Sequence, residues 1–451
     1  MSQEVFDFGA TAYLTGTSAF VEMGKPSAEL VATPSPVARP IPVANKPKMV
    51  PWGDTNKFPM ELIDKVGANP MVASNLLFNI QMTYGSGIMP VRRSVVNGKL
   101  VLEPVYDNAE INEFFENNDI NGYYLEQCTD LNFLYNAFAE LVFSYEGKIA
   151  ELNSLEATFS RFSEIDAVNK KILYHYYSAK WGESPKEADI IITPLLDSKN
   201  PIRDLKIRRG IIPDNQGKTL RNPSGDRFVI PITFPTPGKF YYQKPYWLSI
   251  ITSGWYDFAQ QIVEFKKALM ANQMTIKYHV QLSDNYWDVL YKAEGIVDID
   301  KKKARRVKEL EDINKFLTDT KNTGRSIISY IKYKEGKSEA MMTVTAIDNK
   351  FAGGEYLDDL EEVSNVISYG MNVHPSLIGS APGKNTTING TEARELFIIK
   401  QAMMKPFRDR LLLPLYVVKA INNWPVDIFF TIPDIELTTL DQGTGSKKTI
   451  S

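Results

Sequence analysis

A chain of 451 residues is long enough for two or three structural regions, each with its own core. Hydrophobic residues make up 43% and charged residues 23%, an ordinary globular balance, and a formal net charge of -3 excludes a bulk basic field as the means of holding nucleic acid. The lone cysteine, Cys128, excludes an internal disulfide framework and is expected to be a small buried hydrophobe.

The first basic residue is Lys25, after Glu4 and Asp7, so no secretory leader is expected. No apolar run approaches the roughly 20 residues that a membrane span needs. A soluble protein of a reducing compartment is the expectation. Residues 1–49, with Pro34, Pro36, Pro40, Pro42 and Pro47 in close succession, predict an extended arm without its own core, able to lie on a neighbour. Order is expected to begin at Val50-Pro51-Trp52-Gly53-Asp54.

Pro59 suits the first turn of a helix running to Val66. Asn69-Pro70 opens the next, with Met71, Leu76, Leu77 and Ile80 on its apolar face and Tyr84-Gly85-Ser86-Gly87-Ile88 as its stop. Residues 91–105 predict a hairpin turning at Asn97-Gly98. Helices are expected over Ala109 to Asn118 and Gly122 to Tyr145, and strands over Ile165 to Trp181 and Asp189 to Leu196. Pro231 to Pro245 reads as a break. After it, Trp247, Ile251, Trp255, Phe258, Ile262, Phe265 and Leu269 recur at three- and four-residue spacing. They predict one rod over 247–273, about 40 Å long at 1.5 Å per residue.

A self-contained piece over 274–352 follows, with strands at its ends (275–282, 325–333, 341–347) around one charged helix, Lys301 to Thr318. A second long helix over 354–369 places Leu357, Leu360, Val363 and Ile367 on one face and Glu355, Asp358, Asp359, Glu361 and Glu362 on the other. Residues 373–389 predict a loop. A third helix is expected from Thr391 to Asn422, kinked at Pro406 and Pro414. A strand over Val426 to Ile432 and a polar tail end the chain. No internal repeat is visible.

The signals for catalysis are weak. His175, His279 and His374 lie far apart, none with a second metal ligand at useful spacing, and no Gly-x-Ser-x-Gly elbow is present. His175, between Tyr174 and Tyr176, reads as packing. In Gly379-Ser380-Ala381-Pro382-Gly383-Lys384-Asn385-Thr386, three residues separate the glycines where a P-loop needs four. Asn385 also stands where a hydroxyl should hold Mg²⁺. A polar loop between helices is the better reading. The run Lys301-Lys302-Lys303-Ala304-Arg305-Arg306-Val307-Lys308 suits either an acidic partner or a solvated helix face balanced by Glu309, Glu311 and Asp312. No catalytic residue, metal site or cofactor is expected. An enzyme using a pocket within residues 120–230, or a scaffold or adaptor that forms no ring, stands as the alternative.

The order of elements resembles the portal proteins, the head-to-tail connectors of tailed bacteriophages. Trp52-Gly53-Asp54-Thr55-Asn56-Lys57-Phe58-Pro59, Asn69-Pro70 and Tyr84-Gly85-Ser86-Gly87 are similar to that family's opening. Tyr242-Gln243-Lys244-Pro245-Tyr246-Trp247 resembles the turn into its first stem helix. Asn372-Val373-His374-Pro375-Ser376-Leu377-Ile378-Gly379 is similar to its helix-ending element, with His374 replacing a proline. Asn389-Gly390-Thr391-Glu392-Ala393 resembles its next helix start.

The resemblance covers residues 50–441 and implies a portal-like α+β fold. It has a mixed α/β wing (50–246), long stem helices (247–273 and 353–372), a small α/β clip (274–352) and a tunnel loop (373–389). A long kinked helix with a wing strand (390–441) and a polar tail (442–451) complete it. It further implies a homo-oligomeric ring, as a dodecamer, at one capsid vertex of a virion assembled in the host cytoplasm. Double-stranded DNA would pass through it without sequence readout or membrane contact. The implied partners are the major capsid protein, the terminase packaging motor and a head-tail adaptor. Lys384, Asn385, Thr386, Thr387 and Asn389 would face DNA, and Glu355, Asp358, Asp359 and Glu362 would line the channel. Lys301, Lys302, Lys303, Arg305, Arg306 and Lys308 would dock a partner. Many portals add a helical crown, and only the polar tail Gln442 to Ser451 follows the implied wing segment here.

Overall fold

Three short strands, β1 (Val5–Asp7), β2 (Thr11–Leu14) and β3 (Ala19–Glu22), pair as an antiparallel meander where a plain extended arm was expected. The β-branched and aromatic residues Val5, Phe6, Thr11, Tyr13, Phe20 and Val21 favour this, and the prolines all lie further along. The computed structural model describes residues 5–7, 11–14, 19–22, 47–167, 170–183, 185–220, 225–273, 278–318, 331–334, 337–346, 355–378 and 390–435. They fall into two compact units, one drawn from residues 1–27 and 261–356 and the other from 28–260 and 357–451. Both combine helices with small antiparallel sheets, the α+β class.

In the larger unit, helix α1 (Phe58–Ala68) carries Pro59 in its first turn, and α2 (Pro70–Tyr84) begins behind Asn69. The Asn69 side chain accepts the Met71 and Val72 amides and so caps that helix. Leu76 and Ile80 are buried as expected, whereas Leu77 is exposed. Val72 and Met82 are buried with them, and so are three polar residues, Asn75, Asn79 and Thr83. Strands β4 (Met89–Val96) and β5 (Lys99–Pro104) form the expected hairpin, with Asn97 and Gly98 both at positive φ.

Helix α3 (Ala109–Asn117) follows, and then α4 (Ile120–Leu134), which corrects the single helix expected over Gly122 to Tyr145. Tyr135 takes the left-handed conformation, and β6 (Asn136–Phe143) begins at once. Seven of the eight β6 residues are buried in the middle of the sheet β11-β6-β7, made with β7 (Ile149–Leu155) and β11 (Arg227–Thr233). A short run that is mostly apolar and buried on both faces, broken only by Asn136 and Glu140, has no period that tells a strand from a helix.

Strands β8 (Ser160–Phe162), β9 (Tyr174–Tyr177) and β10 (Ile191–Pro194) form a second antiparallel sheet, shorter than the strands expected there. His175 is fully buried against Phe138 and Tyr177. Burial, helped by the Arg161 charge, holds its pKa down to about 3, so it packs as a neutral ring. Helix α5 (Pro201–Arg208) leads towards β11. Pro231 lies within β11, so the break expected over Pro231 to Pro245 begins only after Thr233. The strand sits at a sheet edge, where a missing amide proton is tolerated.

The expected rod over 247–273 is broken. A turn at Tyr246–Leu248 and one helical turn, α6 (Ser249–Thr252), precede Gly254 at φ +88, and α7 (Trp255–Gln273) starts beyond it. Its 19 residues span about 28 Å. Its buried face carries Tyr256, Ala259 and Ile262, one residue out of phase with the Trp255 and Phe258 stripe expected, and Phe258 is exposed.

The smaller unit contains β12 (Tyr278–Leu282), α8 (Asp284–Ala293), which the sequence did not reveal, and α9 (Ile299–Thr318). Strands β13 (Ile331–Lys334), β14 (Lys337–Ala340) and β15 (Met342–Ala346) follow. β12 pairs with β15, and β13 with β14.

The larger unit resumes with α10 (Glu355–Gly370), α11 (Pro375–Ile378) and α12 (Gly390–Leu411). It closes with α13 (Leu413–Asn422) and β16 (Ile428–Thr431), which pairs with β4. Pro406 lies inside α12 as expected. Pro414 does not kink a continuous helix but begins α13, where its missing amide costs nothing.

Candidate functional site

α10 carries the expected two-sided pattern. Val363 and Ile367 are fully buried, while Asp358 and Glu362 are exposed and Asp359 and Glu361 half-buried. Glu355 opens the helix. The side chain of Glu355 is outside the described residues. So are Lys384, Asn385, Thr386, Thr387 and Asn389, which fall in the undescribed stretch 379–389.

The C-terminal end of α10 is held from two other helices. Asn79 of α2 donates its Nδ2 to the Met371 carbonyl at 3.0 Å, and Lys400 of α12 donates its Nζ to the Asn372 carbonyl at 2.8 Å. One turn earlier, Asn75 reaches the Ser368 hydroxyl at 3.3 Å. These carbonyls follow the last helical turn and have no partner within α10, so the amide and ammonium supply what the helix cannot. Asn372 turns left-handed at φ 58. Gly370 is required for space, since a Cβ there would lie 2.6 Å from Ile250.

α12 grips the end of α2 in a similar way. Arg408, almost fully buried, donates from Nη2 to the Met82 carbonyl at 2.8 Å and from Nε to the Thr83 carbonyl at 3.1 Å. Its Nη1 pairs with Asp434 at 2.8 Å. Gly85 makes this approach possible: at φ +58, any Cβ would stand 2.7 Å from Arg408 Nη2. The Gly-rich turn read from the sequence therefore serves an arginine that the sequence did not single out. Thr83 joins the same cluster, accepting from Asn132 Nδ2 at 3.0 Å.

Asn75, Asn79 and Thr83 recur every four residues on a largely apolar helix, a signal that is present in the sequence. Lys400 and Arg408 had no comparable signal. They look like surface residues of α12 until their buried surroundings are known.

The basic run of α9 divides in two. Arg305 pairs with Glu294 at 2.8 Å and Glu309 at 2.7 Å, Arg306 lies over the Trp287 ring at 5.1 Å, and Lys302 over Tyr291 at 5.5 Å. Those three tie α9 to α8. Lys301, Lys303 and Lys308 are exposed.

Within the mixed region, a cavity of about 410 Å³ is lined by residues including Phe162, Lys171, Leu195, Asp197, Lys199 and Tyr241. Burial opposes the Asp197 charge. Lys171, at 2.6 Å, and the amides of Lys199 and Asn200 outweigh burial and hold the carboxyl below its ordinary range. Among the described residues, no cluster of His, Cys, Asp and Glu could hold a metal ion, and no helix is long and apolar enough to cross a membrane.

An α+β chain of these elements in this order has the fold of particle-neck proteins, in line with the resemblance read from the sequence. One similar solved chain belongs to the virion of a native gene transfer agent particle, with a TM-score of 0.54 and 14% identity over 89% of this chain and 88% of that one. Two others come from necks of the same kind of particle. One is from an empty particle computed with C6 symmetry (TM-score 0.54, 15% identity, 92% and 90% covered). The other is from a native particle computed with C12 symmetry (0.54, 14%, 92% and 89%). No family model and no curated protein matches the sequence.

Proposed function

We propose that this chain is a portal subunit, a non-catalytic component of a ring at one capsid vertex through which double-stranded DNA is packaged and ejected. The observation that carries the proposal is the fold shared with particle-neck chains over about nine-tenths of both sequences. In this reading residues 50–246 with 390–441 are the wing, and 247–273 with 353–372 the stem. Residues 274–352 are the clip, and 373–389 the tunnel loop. Twelve copies close by heterologous contacts, each subunit presenting one flank to the next.

The chemistry fits a conduit. Each phosphate neutralised by Lys or Arg adds affinity, and hence friction. An acidic wall of Glu355, Asp358, Asp359 and Glu362 repels the duplex instead and keeps it centred. Lys384, Asn385, Thr386, Thr387 and Asn389 touch the backbone sparsely and read no bases. No nucleotide cofactor is used, and the work of packaging falls to a terminase motor. The clip, through Lys301, Lys303 and Lys308, docks the motor during packaging and a head-tail adaptor afterwards, while the wing meets the major capsid protein. Assembly takes place in the host cytoplasm and the finished ring resides in the virion.

Electron microscopy of the purified chain tests this directly. Annular particles with a central hole are expected at micromolar concentration. A monodisperse monomer under those conditions defeats the reading and favours a non-ring adaptor.

A further inference from the structure

Among the described residues, α12 leaves an apolar stripe uncovered. Leu396, Ile399 and Met403 follow one another at three- and four-residue spacing, and Ile399 is 56% exposed. The stripe walls a cavity of about 400 Å³ whose other side is formed by Leu377 of α11 and Tyr369 of α10, the latter 86% exposed. Lys400 lines the same cavity and is only 3% exposed. Its ammonium carries three donors but makes one hydrogen bond among the described residues, to the Asn372 carbonyl. Burial draws its pKa down to about 8. Among the described residues, no carboxylate lines the cavity. Asn365, Asn372 and His374 are the other polar lining residues, and a buried ammonium among largely apolar walls, with no opposite charge among the described residues, is an expensive arrangement for a lone chain.

We propose that this cleft receives an apolar, carboxylate-bearing segment of a neighbouring copy of the chain, its carboxylate meeting Lys400 and its apolar body covering Ile399, Met403 and Tyr369. The inference rests on the ring reading above. Two features favour a second copy as occupant. The chain has 54 acidic against 51 basic side chains and displays acids away from the α10 face, such as Glu113 and Glu126, on its surface, so it offers the complementary charge itself. In a closed ring, the same foreign flank also meets the same face of every subunit. A heterologous contact needs no self-complementary patch, which suits a cationic apolar cleft.

The test uses the full chain with the photo-crosslinker p-benzoylphenylalanine in place of Ile399, examined alongside the unmodified chain by electron microscopy. The expected result is rings in both, and on irradiation a ladder of covalently joined chains, with the crosslinked peptide mapping to a second copy. Rings with crosslinks confined within one chain, or to an unrelated protein, overturn the cleft assignment and leave the ring reading standing. A wild-type chain that forms no rings overturns both. As a second arm, Lys400→Met is expected to raise the protein concentration at which rings half-dissociate by at least tenfold, with the far-ultraviolet circular dichroism of the subunit retained. An unchanged dissociation midpoint in that folded variant overturns the role of the carboxylate.

Discussion

A buried amide that satisfies the last carbonyls of another helix does two jobs, since removing it leaves both an empty space and an orphaned acceptor. Asn79 does this for Met371 at the end of α10. Asn79→Ala is therefore expected to cost about 1–3 kcal/mol, the range for an unsatisfied buried partner, read as a lower urea midpoint at unchanged m-value. A change below about 0.3 kcal/mol would mean that water replaces the amide at no cost. Asp130 makes a different kind of prediction. Its Oδ2 accepts the Ala157 amide at 2.7 Å. Burial, aided by Glu156 and Glu126 against that hydrogen bond, raises its pKa to about 7. The folded chain thus holds this proton more tightly than the unfolded one. The associated penalty is absent below about pH 4, grows as pH rises, and is complete above pH 7. Asp130→Asn keeps an acceptor for Ala157 and removes the charge. It should stabilise the chain by about 1–2 kcal/mol at pH 8, after allowance for solvent access, and by less at pH 5. Melting curves of both proteins at the two pH values decide it, and an equal gain at each pH sinks the assignment.

At the scale of elements, the break before α7 is the feature most open to test. Gly254 sits at φ +88 with open space where a Cβ would go, so only backbone conformation opposes a side chain. Gly254→Ala is expected to destabilise by about 1–2 kcal/mol, because an L-residue is strained in that region. If α6 and α7 instead prefer to be one rod, the same change raises the melting temperature through alanine's helix propensity. The sign of the shift settles which holds.

The same helix shows what a period can and cannot convey. Three- and four-residue spacing announced a helix through 255–273, but Trp255, Phe258 and Ile262 fitted the stripe as well as Tyr256, Ala259 and Ile262 did. Large aromatics drew the eye to the wrong phase. α1, α2 and the 89–104 hairpin were legible because Pro59, Asn69-Pro70 and Asn97-Gly98 are local devices whose geometry is set by one or two residues. β6 and β11 were not, because their identity comes from the sheet around them. A mostly apolar octet and a proline-containing edge strand become strands only through their partners.

For the whole molecule, the acidic face of α10 was readable from the four-residue spacing of Asp358 and Glu362. The residues that hold the end of that helix come from positions some 290 and 30 residues away in sequence. No local pattern links Asn79, Asn372 and Lys400, so that part of the site depends on tertiary packing. The proposal that the acidic face lines a DNA passage carries its own test. Neutralising it with Glu355→Gln, Asp358→Asn, Asp359→Asn and Glu362→Gln removes four charges per subunit, or 48 in a ring of twelve, without altering apolar packing. Rings should persist. Duplex DNA should bind them at least tenfold more tightly at low ionic strength, because phosphate no longer meets a wall of like charge. The difference should shrink as salt rises towards about 0.5 M, where the screening length falls to roughly 4 Å. A filter-binding titration across that range reads the effect. Intact rings whose DNA affinity matches the unaltered protein at every salt concentration would place these carboxylates away from the passage.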